Sequence, residues 1–279
     1  MTFKNENVLN FYKDLPFNIY GNLEDSEKKI KETNPLNDYL ELKRIIEKFD
    51  KLDLIDFGCG GGWLVNSLAY HLNNKIDASG VDFNPKVIEY ANKMKEKLNL
   101  NSKFYTSDLF TFNEKKKFDL IISLGVLHHT NNCHEAIKNL FRFSRKDSYI
   151  FLGLYHKYGR EPFLEYFKNL KDQSEESKFE AYKELHSNIS DEKKLLSWFR
   201  DQVLHPHETQ HTFKEISQLF LENNFEIIST SINKFRIINN LEDLFELEKT
   251  YKAISYEKLK IKEYFPGFFV VVAKNKNYI

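Results

Sequence analysis

Leu52-Asp53-Leu54-Ile55-Asp56-Phe57-Gly58-Cys59-Gly60-Gly61-Gly62-Trp63 reads as an apolar strand that closes on an acid, breaks into glycines and restarts as an apolar helix. Glycine accepts positive φ and carries no Cβ, so the backbone at such a joint can approach a ligand closely. The first N–H groups of the following helix, unpaired within it, face the same space. A strand, a glycine turn and a helix in this order form a cofactor cradle.

The spacing narrows the ligand. The dinucleotide pattern G-x-G-x-x-G, started at Gly58, asks for glycine at position 63, which is Trp63. No G-K-[ST] follows, so a P-loop is also disfavoured. Further elements follow in order. Ile76 to Val81 reads as a second strand closing on Asp82, with Phe83 next and Asn84-Pro85 opening a helix from Lys86 to about Leu98. An acid at the tip of the second strand, about 20 residues after the glycines, can accept both ribose hydroxyls of an adenosine, and Asp82 stands at that distance from Gly62. Lys103 to Thr106 is a short strand that runs into Ser107-Asp108-Leu109. Phe118 to Leu124 is a near-continuous apolar run of the kind a parallel sheet buries on both faces, and it leads into Gly125-Val126-Leu127-His128-His129. Ser148 to Leu154 supplies a fifth strand.

With an acid and alternate glycines at Asp56, Gly58, Gly60 and Gly62, followed by Asp82, Asp108 and the strand end at His128-His129, the region from Leu52 to Leu154 resembles class I S-adenosylmethionine-dependent methyltransferases. The resemblance implies a seven-stranded, mostly parallel, doubly wound Rossmann-like α/β sheet. It implies S-adenosyl-L-methionine as cofactor and S-adenosyl-L-homocysteine as product. The glycine loop, with Cys59 inside it, would pack on the methionine part. Asp82 would meet the ribose and Asp108 the adenine amino group, with Phe83, Ser107, Leu109 and Leu124 as further cofactor contacts.

Composition sets limits. The 279 residues suffice for one large α/β domain with insertions. Net charge is zero, so no overall basic field gathers nucleic acid or an anionic membrane. Lys115, Lys116 and Lys117 read as solvated loop residues rather than a phosphate patch. Cys59 and Cys133 make neither a disulfide framework nor a zinc spacing, and no apolar run approaches 18 residues. Without a leader pattern, a cytoplasmic protein is expected, as monomer or homodimer.

Four regions follow from this reading: an N-terminal helical lid or cap (1–50), the cofactor-binding core (51–154), a helical insertion that caps the substrate (155–212), and the rest of the sheet (213–279) with a helical insertion at 241–261. In the first, Phe11, Tyr12, Leu15, Pro16, Phe17, Ile19 and Tyr20 can form an aromatic lid, with Tyr12 and Tyr20 touching substrate. Equally, the segment and its apolar positions Tyr39, Leu40, Leu42, Ile45 and Ile46 can be a helix pair covering a sheet face. The last region holds strands at Phe225 to Ser231 and Gly267 to Val272, with helical spacing from Leu241 to Ile261 between them.

The 155–212 insertion is dense in polar aromatics: Tyr155-His156 at its start, Trp198 to Gln202, then His205-Pro206-His207-Glu208-Thr209-Gln210-His211. Thr212 and Glu215 fit a capping box, which starts a helix at Phe213 and leaves the histidines in the preceding loop. Three readings stay open for His205, His207 and His211: substrate binding or proton transfer, metal binding with Glu208, or a tie between insertion and core. No metal is expected. His128, His129, Tyr155, His156, His207 and His211 are the catalytic candidates, and Tyr155, His156, His205, His207 and His211 also qualify as substrate contacts. His128 and His129 equally suit a role in shaping the helix start.

The reaction expected is methyl transfer to a small molecule or biosynthetic intermediate. An RNA methyltransferase would instead need a basic stripe around Arg142, Arg145, Lys146, Arg160 and Arg200. A non-catalytic partner subunit would bind cofactor but leave no acceptor pocket.

Overall fold

Side chains in a strand point alternately to its two faces, so an apolar run buried on both sides needs helices on both sides. The protein, seen in a computed structural model that describes residues 11–12 and 22–276, follows this rule. Its strands are β1 (Leu52–Phe57), β2 (Ile76–Asp82), β3 (Lys103–Thr106), β4 (Phe118–Leu124), β5 (Ser144–Tyr155), β6 (Phe225–Thr230) and β7 (Phe268–Asn275). Among the described residues they form one sheet in the order β3-β2-β1-β4-β5-β7-β6. Strands β3, β2, β1, β4 and β5 are parallel, while β7 runs antiparallel between β5 and β6.

Ile55, Phe57 and Ile121 face one core, shared with α5 (Cys133–Phe141) and α9 (Phe213–Glu222). Leu54, Leu120 and Ile122 face the other, against α2 (Leu40–Ile46), α3 (Trp63–Leu72) and α4 (Pro85–Lys97). Helix α1 (Leu23–Glu32) buries Ile30. In α2, Leu42, Ile45 and Ile46 are buried, so this helix covers a sheet face, whereas Leu40 points outward and is 58% exposed.

A third, smaller core forms within the insertion, where α6 (Lys157–Lys168), α7 (Glu175–Leu185) and α8 (Glu192–Phe199) bring together Phe163, Phe167, Tyr182, Leu185, Leu195 and Phe199. Helix α10 (Leu241–Lys260) lies between β6 and β7 in the chain and packs against α6. Among the described residues no helix is long and apolar enough to cross a membrane.

Two strands are longer than their apolar runs. β5 starts at Ser144 rather than Ser148, because Ser144 pairs with Phe118 across a register shift that absorbs the charged Arg145-Lys146-Asp147. β7 continues to Asn275, where it still pairs with Phe225. Leu15, Pro16, Phe17, Ile19 and Tyr20, named as lid positions, lie outside the described residues.

Candidate functional site

β1 pairs with β2 on one side and β4 on the other, so the strand order reverses there and opens a crevice at the strands' C-terminal ends. A cavity of about 610 Å³ occupies this position. The glycine loop forms one wall. Gly60 has φ +52°, and a Cβ built on it would meet nothing within 4 Å, so the backbone there faces open space. Gly62 is different: it caps α3 in a left-handed conformation, and a Cβ would come within 2.7 Å of Ala91 and Phe104. Gly58 and Gly60 line the cavity, whereas Asp56, Cys59 and Gly62 stand behind it.

Asp82 closes β2 at the same end. Its Oδ2 accepts the Gly60 N–H at 3.0 Å and its Oδ1 the Asn84 N–H at 2.9 Å, which leaves further lone pairs for a ligand. Burial pushes the Asp82 carboxyl up to about 6, against the backbone donors that favour its charge. Asp56 is raised to about 7, by burial first and then by the charge on Asp82. Phe83, Ser107, Asp108, Leu109 and Leu124 line this end too. The Asp108 carboxylate is aimed by the Phe110 N–H, which it accepts at 2.9 Å.

The other end of the cavity is built by groups far apart in the chain: Tyr12, His129, Tyr155, Trp198, Asp201 and Tyr264. Asp201 sits in a π-helical turn, Arg200–Leu204, a local widening of the helix common at functional sites. Its carboxylate accepts the hydroxyl of Tyr12, and that of Tyr155 at 3.4 Å. Burial raises the Asp201 carboxyl and, helped by the Asp201 charge, the Tyr12 hydroxyl. His129 Nδ1 lies 2.9 Å from the His207 carbonyl, which can only accept, so Nδ1 carries the proton. Nε2 of the neutral ring is then a bare acceptor, 3.9 Å from Asp201 Oδ1. Burial lowers His129 to about 4 and His205, tilted against it with ring centres 3.7 Å apart, to about 3.

The family model described as methyltransferase domain matches residues 48–220, more than half of the chain. The chain belongs to this family of class I S-adenosylmethionine-dependent methyltransferases. It is 30% identical over 110 residues to a ubiquinone biosynthesis O-methyltransferase of Pelagibacter ubique, a stretch covering 38% of this chain and 43% of the relative. The chain thus spans less than half the length of that relative. Among solved structures it resembles the plantazolicin methyltransferase bound to S-adenosylhomocysteine, with TM-score 0.57, 18% identity, and 98% and 95% of the two chains covered. It also resembles the magnesium protoporphyrin IX methyltransferase of Synechocystis, with TM-score 0.55, 16% identity, and 99% and 98% covered. At these identities the structural likeness concerns the fold.

In this family member the histidines separate by position. Of those singled out from the sequence, His129 lines the cavity and the others do not. His128 is fully buried between His129 and Tyr155, accepts the Tyr155 N–H on Nδ1 at 3.2 Å, and is held well below the usual imidazole range by burial. His156 caps α6 by accepting the Gly159 N–H and meets the buried Glu248 carboxylate at 2.8 Å through Nε2. His205 braces His129 and accepts the His207 N–H, and His207 offers its carbonyl to His129. His211 pairs with His156 in a short parallel bridge that ties the loop to the end of β5. Among the described residues, His205 and His207 join no convergent metal-ligand group.

Three of the five basic-stripe positions are held by partners. Arg160 is fully buried and paired with Glu208, while Arg145 is held by Asp119. Arg200 donates to the Phe11 carbonyl at 3.3 Å. Asp201 lies in the Trp198 to Gln202 stretch but, like Tyr264, has no strand-end position or motif that singles it out. The one local trace of Asp201 is an acid set beside Trp198 and Phe199.

Proposed function

We propose that the chain transfers the methyl group of S-adenosyl-L-methionine to a hydroxyl of a small, largely apolar ring compound and releases S-adenosyl-L-homocysteine. The observation that carries this reading is a single cavity joining the Asp82 and Asp108 end to the His129 and Asp201 end. The residues fit the cofactor: the open cradle over Gly60 suits the methionine part beside Gly58 and Leu124. Asp82 has lone pairs for ribose hydroxyls, and Asp108 would hold the adenine amino group near Phe83, Ser107 and Leu109, which line the same end.

When bound, the cofactor would supply an electrophilic methyl on a sulfonium, open to in-line attack by an acceptor oxygen with the C–S electron pair going to sulfur. The wall residues orient the acceptor and exclude water, which accounts for much of the rate of such a displacement. Tyr155 and Asp201 would hold the acceptor hydroxyl. His129 Nε2 takes its proton, and Asp201 stabilises the imidazolium. An imidazole as weakly basic as His129 suffices, because an oxygen that has gained a methyl while keeping its proton is far more acidic than imidazolium. The O-methyltransferase relative and the neutral total charge support a small hydroxylated acceptor over a nucleic acid. Cytoplasmic residence belongs to this reading, and both cysteines are free, as a reducing compartment leaves them.

The test is methyl-labelled cofactor incubated with the purified chain and fractions of small phenolic metabolites and RNA. Label is expected in a small-molecule fraction. His129→Ala is expected to lower kcat by about 10²–10⁴ with S-adenosylhomocysteine affinity unchanged by calorimetry; label in RNA alone would refute the acceptor class.

A further inference from the structure

His134, His211 and Glu215 form a second constellation, away from the cavity lining. His134 stands in the first turn of α5, Glu215 in the first turn of α9, and His211 just before the Thr212 cap of α9. Their ligand atoms lie within 4.8 Å of one another. His134 Nε2 is 2.5 Å and His211 Nδ1 3.1 Å from the same Glu215 oxygen, Oε1.

The partners of His211 decide its tautomer. Thr209 Oγ1 gives its one proton to the His128 carbonyl at 3.1 Å, so its 2.9 Å contact with His211 Nε2 needs the ring N–H as donor. A neutral His211 then turns a bare Nδ1 lone pair toward a carboxylate oxygen, two acceptors facing each other. His134 Nε2, closer still, has no N–H aimed along a hydrogen bond to any partner. One proton would satisfy one of these contacts. Donation from both rings would need a neutral His134 with its proton on Nε2 and, with ring centres 5.5 Å apart, a His211 charged by a second proton. A single divalent ion satisfies both rings and the carboxylate together.

We propose that His134 Nε2, His211 Nδ1 and the Glu215 carboxylate bind one divalent transition-metal ion of the zinc class. Two imidazoles and one carboxylate are a zinc-type donor set, whereas magnesium and calcium take oxygen ligands. The side chains of His134 and Glu215 are partly exposed, 44% and 38%, so the group lies near the surface. The Thr209 hydroxyl, anchored on the His128 carbonyl, orients His211 as an outer partner orients a ligating imidazole. The ion is structural: it clamps α5 to the start of α9, and so anchors the loop from His205 to His211 whose His207 carbonyl sets the tautomer of His129.

The chain, stripped with chelator, is titrated with zinc chloride alone by calorimetry and with cobalt chloride by visible absorption. Expected are one ion per chain, cobalt bands of a four-coordinate N/O site, and a zinc-dependent rise in Tm. His134→Ala and Glu215→Gln are each expected to weaken binding about tenfold or more and to abolish the Tm rise. Gln can still complete the capping box, so the second variant stays folded. No binding by the parent chain, or parent-like affinity in either variant, overturns the site.

Discussion

Asp82 combines two properties, a strand-end position and a burial that keeps its charge costly. The position is local to the sequence, legible for Asp82 at the end of an apolar run and for Asp108 just past a short strand. The burial is not local, and it sets a pH dependence. The carboxyl, raised to about 6, is ionised above that pH and protonated below it. Ribose hydroxyls donate to the charged form, so the bound complex has the lower pKa, and affinity for S-adenosylhomocysteine should fall as pH drops through about 6. Asp82→Asn should weaken binding by about 1–3 kcal/mol and remove that part of the pH dependence. Calorimetry from pH 8 to 5 checks both, and a flat parent profile would count against this role. Asp201 was illegible for a matching reason: it lies in a π turn and meets Tyr12 and Tyr155 only through tertiary contacts.

At the scale of elements, the glycine loop holds two demands that one motif conceals. Gly62 is needed for packing under α3, where a Cβ would strike Ala91 and Phe104. Gly62→Ala should therefore lower stability by about 1–2 kcal/mol for the left-handed backbone and by about 1–3 kcal/mol more for overpacking, read as a drop in Tm. Gly60 has no such neighbours. Gly60→Ala should bear the backbone strain alone, about 1–2 kcal/mol, yet lose cofactor affinity because its methyl enters the cradle. Equal stability losses in the two variants would contradict this division. The start of α9 was readable from its capping box, which the structure contains in both directions, with Thr212 accepting the Glu215 N–H. The histidines before it were readable as a cluster but not as individuals, since their tautomers depend on carbonyls and hydroxyls from other elements.

The whole molecule is joined across its insertions by Glu248. This α10 carboxylate, 2% exposed, meets His156 Nε2 at 2.8 Å and accepts the N–H groups of Phe213 and Lys214 at the start of α9. It binds the end of β5, α9 and α10 together, which makes the 241–260 helix a structural part of the sheet's edge. Removing one member of a buried ionic network strands the others, so Glu248→Ala should cost about 3–5 kcal/mol. Chemical denaturation measures it; a change under about 1 kcal/mol would show the network to be dispensable. The 155–212 insertion was visible as an interruption of the family pattern, but its own aromatic core and its reach to Tyr12 were not.

By itself the sequence determined the sheet's elements, the glycine cradle and the acids at the strand tips, because apolar periodicity, glycine conformation and strand-end position act over a few neighbouring residues. Tertiary structure alone decided which histidine faces the cavity, that Asp201 joins it, and that His134 meets His211 and Glu215. Those outcomes depend on burial and on hydrogen-bond partners brought together from distant parts of the chain, and no local pattern encodes them.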